Sequence, residues 1–232
     1  LLDILNELEF KNIRVVSDFE AIQVNDVTIT PTPSLNQSST AEDSFPEHGL
    51  LVSDGEVTIW NQVDSQVNPD IIQRIGELYG QIDFFHSRFV PLLEGNFSYN
   101  KALKLPIDEY CTFLNVVKAL GPKFVVPGSA AFRYRDELAF LNQYTFPITQ
   151  DQFLRDVAAF CPKVSRGHFF PGDVAHISAS EIRIDKQSSS FVSILEDDSH
   201  RLTFKPNTEV PSIKTQTIEP IEYKRELKVV EN

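Results

Sequence analysis

The chain has 232 residues, 41% of them apolar, which suits one large domain or a domain with an appendage and is enough to bury a sizeable core. Its 33 acidic residues against 21 basic ones leave a net charge of −12, and a surface that acidic repels phosphate backbones, so nucleic-acid binding is excluded as a working class. No run approaches the roughly 18 continuous apolar residues of a membrane span, and no stretch has the pattern of a secretory leader.

In chain order, Leu1, Leu2, Ile4, Leu5 and Leu8 recur at helical spacing and predict an amphipathic helix. Residues 13–16, 21–24 and 27–33 are short β-rich runs, and 34–47 is a polar loop. Two strands follow around Asp54-Gly55, a hairpin signal, and the second runs on to Asp64. Asn68-Pro69 starts a helix with Ile71, Ile72, Ile75 and Leu78 inside, and Gly80 ends it. A short buried strand is predicted over 81–85 and a loop over 91–105. A second helix begins near Pro106, carries Tyr110, Phe113, Leu114, Val117 and Leu120 on one stripe, and stops at Gly121. Residues 123–128 form a core strand and 135–144 a short helix, and Thr149 with Gln152 is a capping pattern for a last helix containing Phe153, Val157 and Phe160. The alternation of strands and helices argues an α/β layered domain over 1–162. Beyond Pro162 short strands follow one another without helices, so 163–232 is expected to be a β-rich extension.

Cys111 and Cys161 lie in no metal-binding spacing, which points to reduced thiols and a cytoplasmic location. The chain contains no Met, even at position 1, and its opening residues resemble the interior of a protein, so it is expected to be a piece of a longer polypeptide.

The stretches LLVSDGEVTIWNQVD (50–64), QIDFFHSRF (81–89) and ALGPKFVVPGSAAFRYRDELAFLN (119–142), in that order, resemble the metallo-β-lactamase superfamily, in its phospholipase-D-like and sialic-acid-hydroxylase-like branch. The resemblance covers about residues 25 to 175. It implies an αββα sandwich, in part, with Asp64 bridging divalent metal, zinc or iron, at a sheet edge. It also implies water attack on an ester, amide or phosphodiester of a small-molecule substrate. The competing reading of Asp64 is a turn residue bonded to nearby amides, or a cap for the following helix.

The chain departs from that family's pattern in three places. The H-x-H-x-D-H motif is missing; no His follows 27–33, where the chain reads SLNQSST; and Gly128, Ser129 and Ala130 stand where a last His is expected. One ligand does not hold a catalytic metal. Two alternatives therefore stay open: a metal-free binding or assembly module with a protein partner or a second copy, and an iron-dependent oxidoreductase. Substrate contacts are open to His86, and to Tyr134, Tyr99 and Arg133 or Arg135, since Arg grips a carboxylate or phosphate; the better readings are a half-buried structural His for the first and surface packing for the others. His168, Asp173 and His176 are metal-capable, but Pro171-Gly172 interrupts them, and a turn with a surface His is the better reading. Ser129 lacks the G-x-S-x-G setting of a serine hydrolase.

Overall fold

The computed structural model describes residues 2–36, 47–99, 101–129, 133–191 and 203–206. In chain order it contains α1 (Leu2–Glu7), β1 (Ile22–Val24), β2 (Val27–Thr32), β3 (Gly49–Ser53), β4 (Thr58–Asn61), α2 (Pro69–Tyr79), β5 (Phe84–Arg88), α3 (Glu94–Ser98) and α4 (Ile107–Leu120). β6 (Phe124–Gly128), a 3-10 turn (Asp136–Leu141), α5 (Asn142–Thr145), α6 (Gln150–Phe160), β7 (Ser165–Arg166), β8 (Val174–Ile177) and β9 (Ile182–Asp185) complete it.

The first seven strands form one sheet in sequential order. β1 to β4 are antiparallel neighbours and β4 to β7 are parallel. The change of direction follows from the connections. Asp54-Gly55 closes a hairpin, with the Asp54 carboxylate accepting from the amides of Glu56 and Val57 and Gly55 at φ 93°. After β4 each connection carries a helix instead, which is what parallel pairing requires.

Local chemistry sets those helices. The Asn68 side chain accepts from the Ile71 amide at 2.9 Å, ahead of Pro69 in the first turn of α2. Gly121 ends α4 in the left-handed region, at φ 54° and ψ 50°. Thr149 Oγ1 accepts from the Gln152 amide at 3.1 Å to start α6, while the Gln152 side chain turns to Asp156 rather than back to the cap. The inner faces of α2, α4 and α6 (Ile71 and Ile75; Phe113, Leu114 and Val117; Phe153 and Val157) share one buried cluster with Leu51, Trp60, Phe85 and Val125 of the sheet. Trp60 and Phe85, register partners on β4 and β5, stack at 4.8 Å.

The opposite sheet face carries Phe84 stacked on Phe124, with Phe169 edge-on to Phe84. The β8–β9 hairpin is joined to the base of β6 by Lys123 Nζ donating to the Ala179 carbonyl at 3.1 Å. The expected α/β layering is present, but in place of two large facing sheets the described residues form one helix layer, one seven-stranded sheet and a two-stranded hairpin.

Several element bounds differ from expectation. Residues 13–16 form no strand, because no described strand pairs with their main chain, and Val15 is exposed. The 81–85 strand begins at Phe84 and runs to Arg88. α3 interrupts the predicted 91–105 loop, docked through Phe97 onto Tyr144 and Phe140. Gly80 has positive φ but extended ψ, so it ends α2 without entering the left-handed helical region. Of the stretch beyond Pro162 expected to be β-rich, residues 192–202 and 207–232 lie outside the described residues. Both cysteines are free, Cys161 buried and Cys111 exposed. No helix among the described residues is long and apolar enough to cross a membrane.

Candidate functional site

In an open sheet the carboxyl ends of parallel strands are where ligand-binding loops gather. Here that edge carries the turn after β4, the end of β5, and the residues following β6.

Asp64 lies three residues past the end of β4, half-buried, in a turn held by its main chain. The Asp64 carbonyl accepts from Arg88 Nη1 at 2.9 Å and from Asn36 Nδ2 at 2.9 Å. Gln62, 2% exposed, braces the same turn from inside: its Nε2 donates to the Ser65 carbonyl and its Oε1 accepts from the Arg88 amide. Asn36 Oδ1 accepts from the Gln66 amide at 3.0 Å. Val63 is driven to φ 54°, a region that a β-branched residue enters only when its surroundings overdetermine it.

Among the described residues, none is hydrogen-bonded to or paired with the Asp64 carboxylate. The reading of Asp64 as a helix cap is therefore corrected. Asn68 performs that task, and the Asp64 side chain accepts from no turn amide.

A metal centre needs more than this carboxylate. Among the described residues there is no group of three His, Cys, Asp or Glu side chains able to hold an ion. Asp64 has the chemistry of one ligand, and the described residues do not fit a complete centre.

His86 is on β5, level with Asn61 of β4 and Val126 of β6. It alternates with Phe85, so its ring lies on the face away from the helices. The imidazole packs on Gly128, where an added Cβ would come within 2.6 Å of Cδ2 and 2.8 Å of Nε2. Burial pushes its pKa below the ordinary His value, and a hydrogen bond with the Pro127 backbone works weakly the other way. His86 and Asp64 make no hydrogen bond or ion pair with each other.

Arg133 is exposed, and Tyr134 is half-buried. The Tyr134 main chain exchanges two hydrogen bonds with the Asn142 side chain, both at 2.9 Å, and its ring lies 6.2 Å from Phe146. Burial and a hydrogen bond to Glu94, in the first turn of α3, push the phenol up to about 12. Tyr134 thus ties the segment after β6 to α3. Tyr99 is 77% exposed.

His168, Asp173 and His176 do not converge. His168 pairs with Asp151 at 2.8 Å, Asp173 with Lys186 at 2.6 Å, and His176 with Asp185 at 3.0 Å. Each has a separate acidic or basic neighbour, and the three share none, in line with the turn reading.

Sequence reasoning missed Arg88, Gln62 and Asn36. The signal for Arg88 was present: a cation inside the apolar run FFHSRF is seldom buried unless paired. Its side chain is only 10% exposed, bonded to Asp64 and Glu109 and lying 5.0 Å over the Phe113 ring. A cavity of about 320 Å³ opens between the turn and α4, lined by Gln62, Gln66, Val67, Glu109 and Phe113 among others.

No family model and no curated protein matches the chain. Solved structures do. A substituted variant of the β-hydroxylase CmlA aligns at 16% identity with a TM-score of 0.48, over 72% of this chain and 34% of its own. CmlA from Streptomyces venezuelae, a diiron β-hydroxylase, aligns at 19% identity and TM-score 0.40, over 53% of this chain and 26% of its own. The metallo-β-lactamase fold protein YhfI from Bacillus subtilis aligns at 10% identity and TM-score 0.45, over 79% of this chain and 61% of its own. The chain spans about a third of CmlA's length and three-fifths of YhfI's.

Proposed function

We propose that this chain contributes Asp64 as one ligand of a metal-dependent centre of the metallo-β-lactamase type, completed by residues outside those described. The observation that supports this reading is a turn whose main chain is fixed by Arg88, Asn36 and Gln62 while its carboxylate is left without a described partner. A carboxylate held in that way is pre-placed for a cation. Zinc or iron bound there would supply Lewis-acid chemistry. The reaction class we attach to it is hydrolysis of an ester, amide or phosphodiester in a small-molecule substrate; iron-dependent oxidation is the competing class on the same scaffold.

Metal analysis of the full-length protein tests the reading. Near-stoichiometric zinc, iron or manganese that falls away in Asp64→Ala supports it. Metal retained undiminished in that variant removes Asp64 from the ligand set.

A second reading, a metal-free binding or assembly module, is favoured by the absence of any three-donor group among the described residues. Gly128 and Ser129 in place of a His favour it too. A folded protein that carries no metal and is unmoved by chelator supports this reading over the first.

A further inference from the structure

We propose that Arg88 is the positioning residue of the Asp64 turn, acting on the carboxylate through the main chain. Four observations converge on this. Arg88 uses two separate groups on the turn: its amide donates to Gln62 Oε1 at 3.0 Å and its Nη1 to the Asp64 carbonyl at 2.9 Å. Its remaining contacts reach the other way, Nη2 to Glu109 Oε1 at 3.3 Å and the guanidinium plane over Phe113, both on α4. The turn it grips contains Val63 at φ 54°, a conformation that does not persist unaided. The carbonyl it binds belongs to the one residue of the turn whose charged side chain has no described partner. The guanidinium therefore fastens the turn to both β5 and α4, and the direction of the Asp64 side chain follows from where its own carbonyl is held. Lysine does not replace it: a single ammonium on a flexible stem lacks the planar fork that spans the Asp64 carbonyl and Glu109 together.

The test uses the full-length protein and two readouts. The first is amide hydrogen exchange at Val63 and Ser65, compared with Phe85 and Val125 in the sheet. Arg88→Met keeps an unbranched side chain of similar bulk and removes the donors together with the guanidinium over Phe113. It is expected to speed exchange at the two turn amides about tenfold or more, the loss of one hydrogen bond from a charged donor, while the sheet amides hold their rates. Arg88→Lys gives no rescue. Arg88→Gln, whose shorter side chain does not reach the Asp64 carbonyl, is expected to speed the same two amides and decides the matter if Arg88→Met does not fold. Turn amides that keep wild-type rates, or turn and sheet amides accelerated alike, overturn the proposal.

The second readout rests on the reading of Asp64 as a ligand. Titration with zinc alone is expected to weaken about tenfold in Arg88→Met, and this effect vanishes in the Asp64→Ala background. Zinc affinity that is the same with and without Asp64 refutes the ligand reading, while the exchange data still decide the role of Arg88.

Discussion

Asp83 offers the sharpest test of how the sheet is held together at the end opposite Asp64. It is 4% exposed, just before β5, and its carboxylate serves both neighbouring strands. Oδ2 accepts from the Thr58 amide at the start of β4 at 2.8 Å, and Oδ1 meets Lys123 Nζ just before β6 at 2.6 Å. Its main chain does the same, with N donating to the Thr58 carbonyl and O accepting from the Phe124 amide, both at 2.9 Å. The two side-chain interactions differ in worth. The Thr58 amide is buried, and a hydrogen bond to a charged acceptor there contributes about 1.5–3 kcal/mol, with a further penalty when the amide is left unpaired. The Lys123 side chain is 37% exposed, so its pairing is screened by water and contributes about 1 kcal/mol or less. Asp83→Ala is therefore expected to cost about 3 kcal/mol, and Lys123→Met about 1 kcal/mol. Asp83→Asn, which keeps an acceptor for Thr58, should fall between them. Urea unfolding at constant m-value measures all three. Lys123→Met also gives up the bond to the Ala179 carbonyl, so a loss in that variant as large as that of Asp83→Ala would refute the argument only if Asp83→Ala in the Lys123→Met background then cost nothing further.

Two predictions concern the face that bears His86. Gly128→Ala places a methyl group 2.6 Å from the His86 ring, so one of them must move, and a loss of about 1–3 kcal/mol is expected from such overpacking. The same substitution in a His86→Ala background should cost clearly less; an equal cost would place the strain elsewhere. The His86 pKa is depressed in the folded chain, so below the ordinary value of about 6.5 the unfolded chain takes up the proton first. Its contribution to stability is therefore whole above about pH 6.5 and declines as the pH falls from there toward the folded pKa. The stability difference between wild type and His86→Gln, followed by urea unfolding from pH 8 to pH 5, should be level at first and then shift against the wild type. A difference that stays level throughout counts against a desolvated imidazole.

Arg88 and Asp83 also show why parts of this molecule could be read in advance and others not. The Asp54-Gly55 hairpin, the Asn68-Pro69 start of α2, the Gly121 stop of α4 and the Thr149 cap of α6 were all legible. In each case the stabilising bond spans three residues or so, and the residue types that make it are few. The alternation of β4, α2, β5, α4, β6 and α6 was legible for the same reason, since apolar periodicity is a local property. Residues 13–16 have strand composition without strand structure, because a strand exists only through a neighbour. α3 was hidden because Phe97 is helical in company with Phe140 and Tyr144, more than forty residues away.

Asp64 stands on the boundary between the two. The chain alone determined that a carboxylate follows the second hairpin strand and precedes a capped helix in an α/β layered domain, since hairpin, strand and helix cap fix its place in the order of elements. Only the tertiary structure decided how it is presented: Arg88 and Asn36, 24 and 28 residues distant, hold its carbonyl, and Gln62 braces the turn beneath. Contacts at that separation depend on which strands become neighbours, which is settled by burial of Trp60, Phe85 and Val125 under three helices and leaves no local mark in the order of residues.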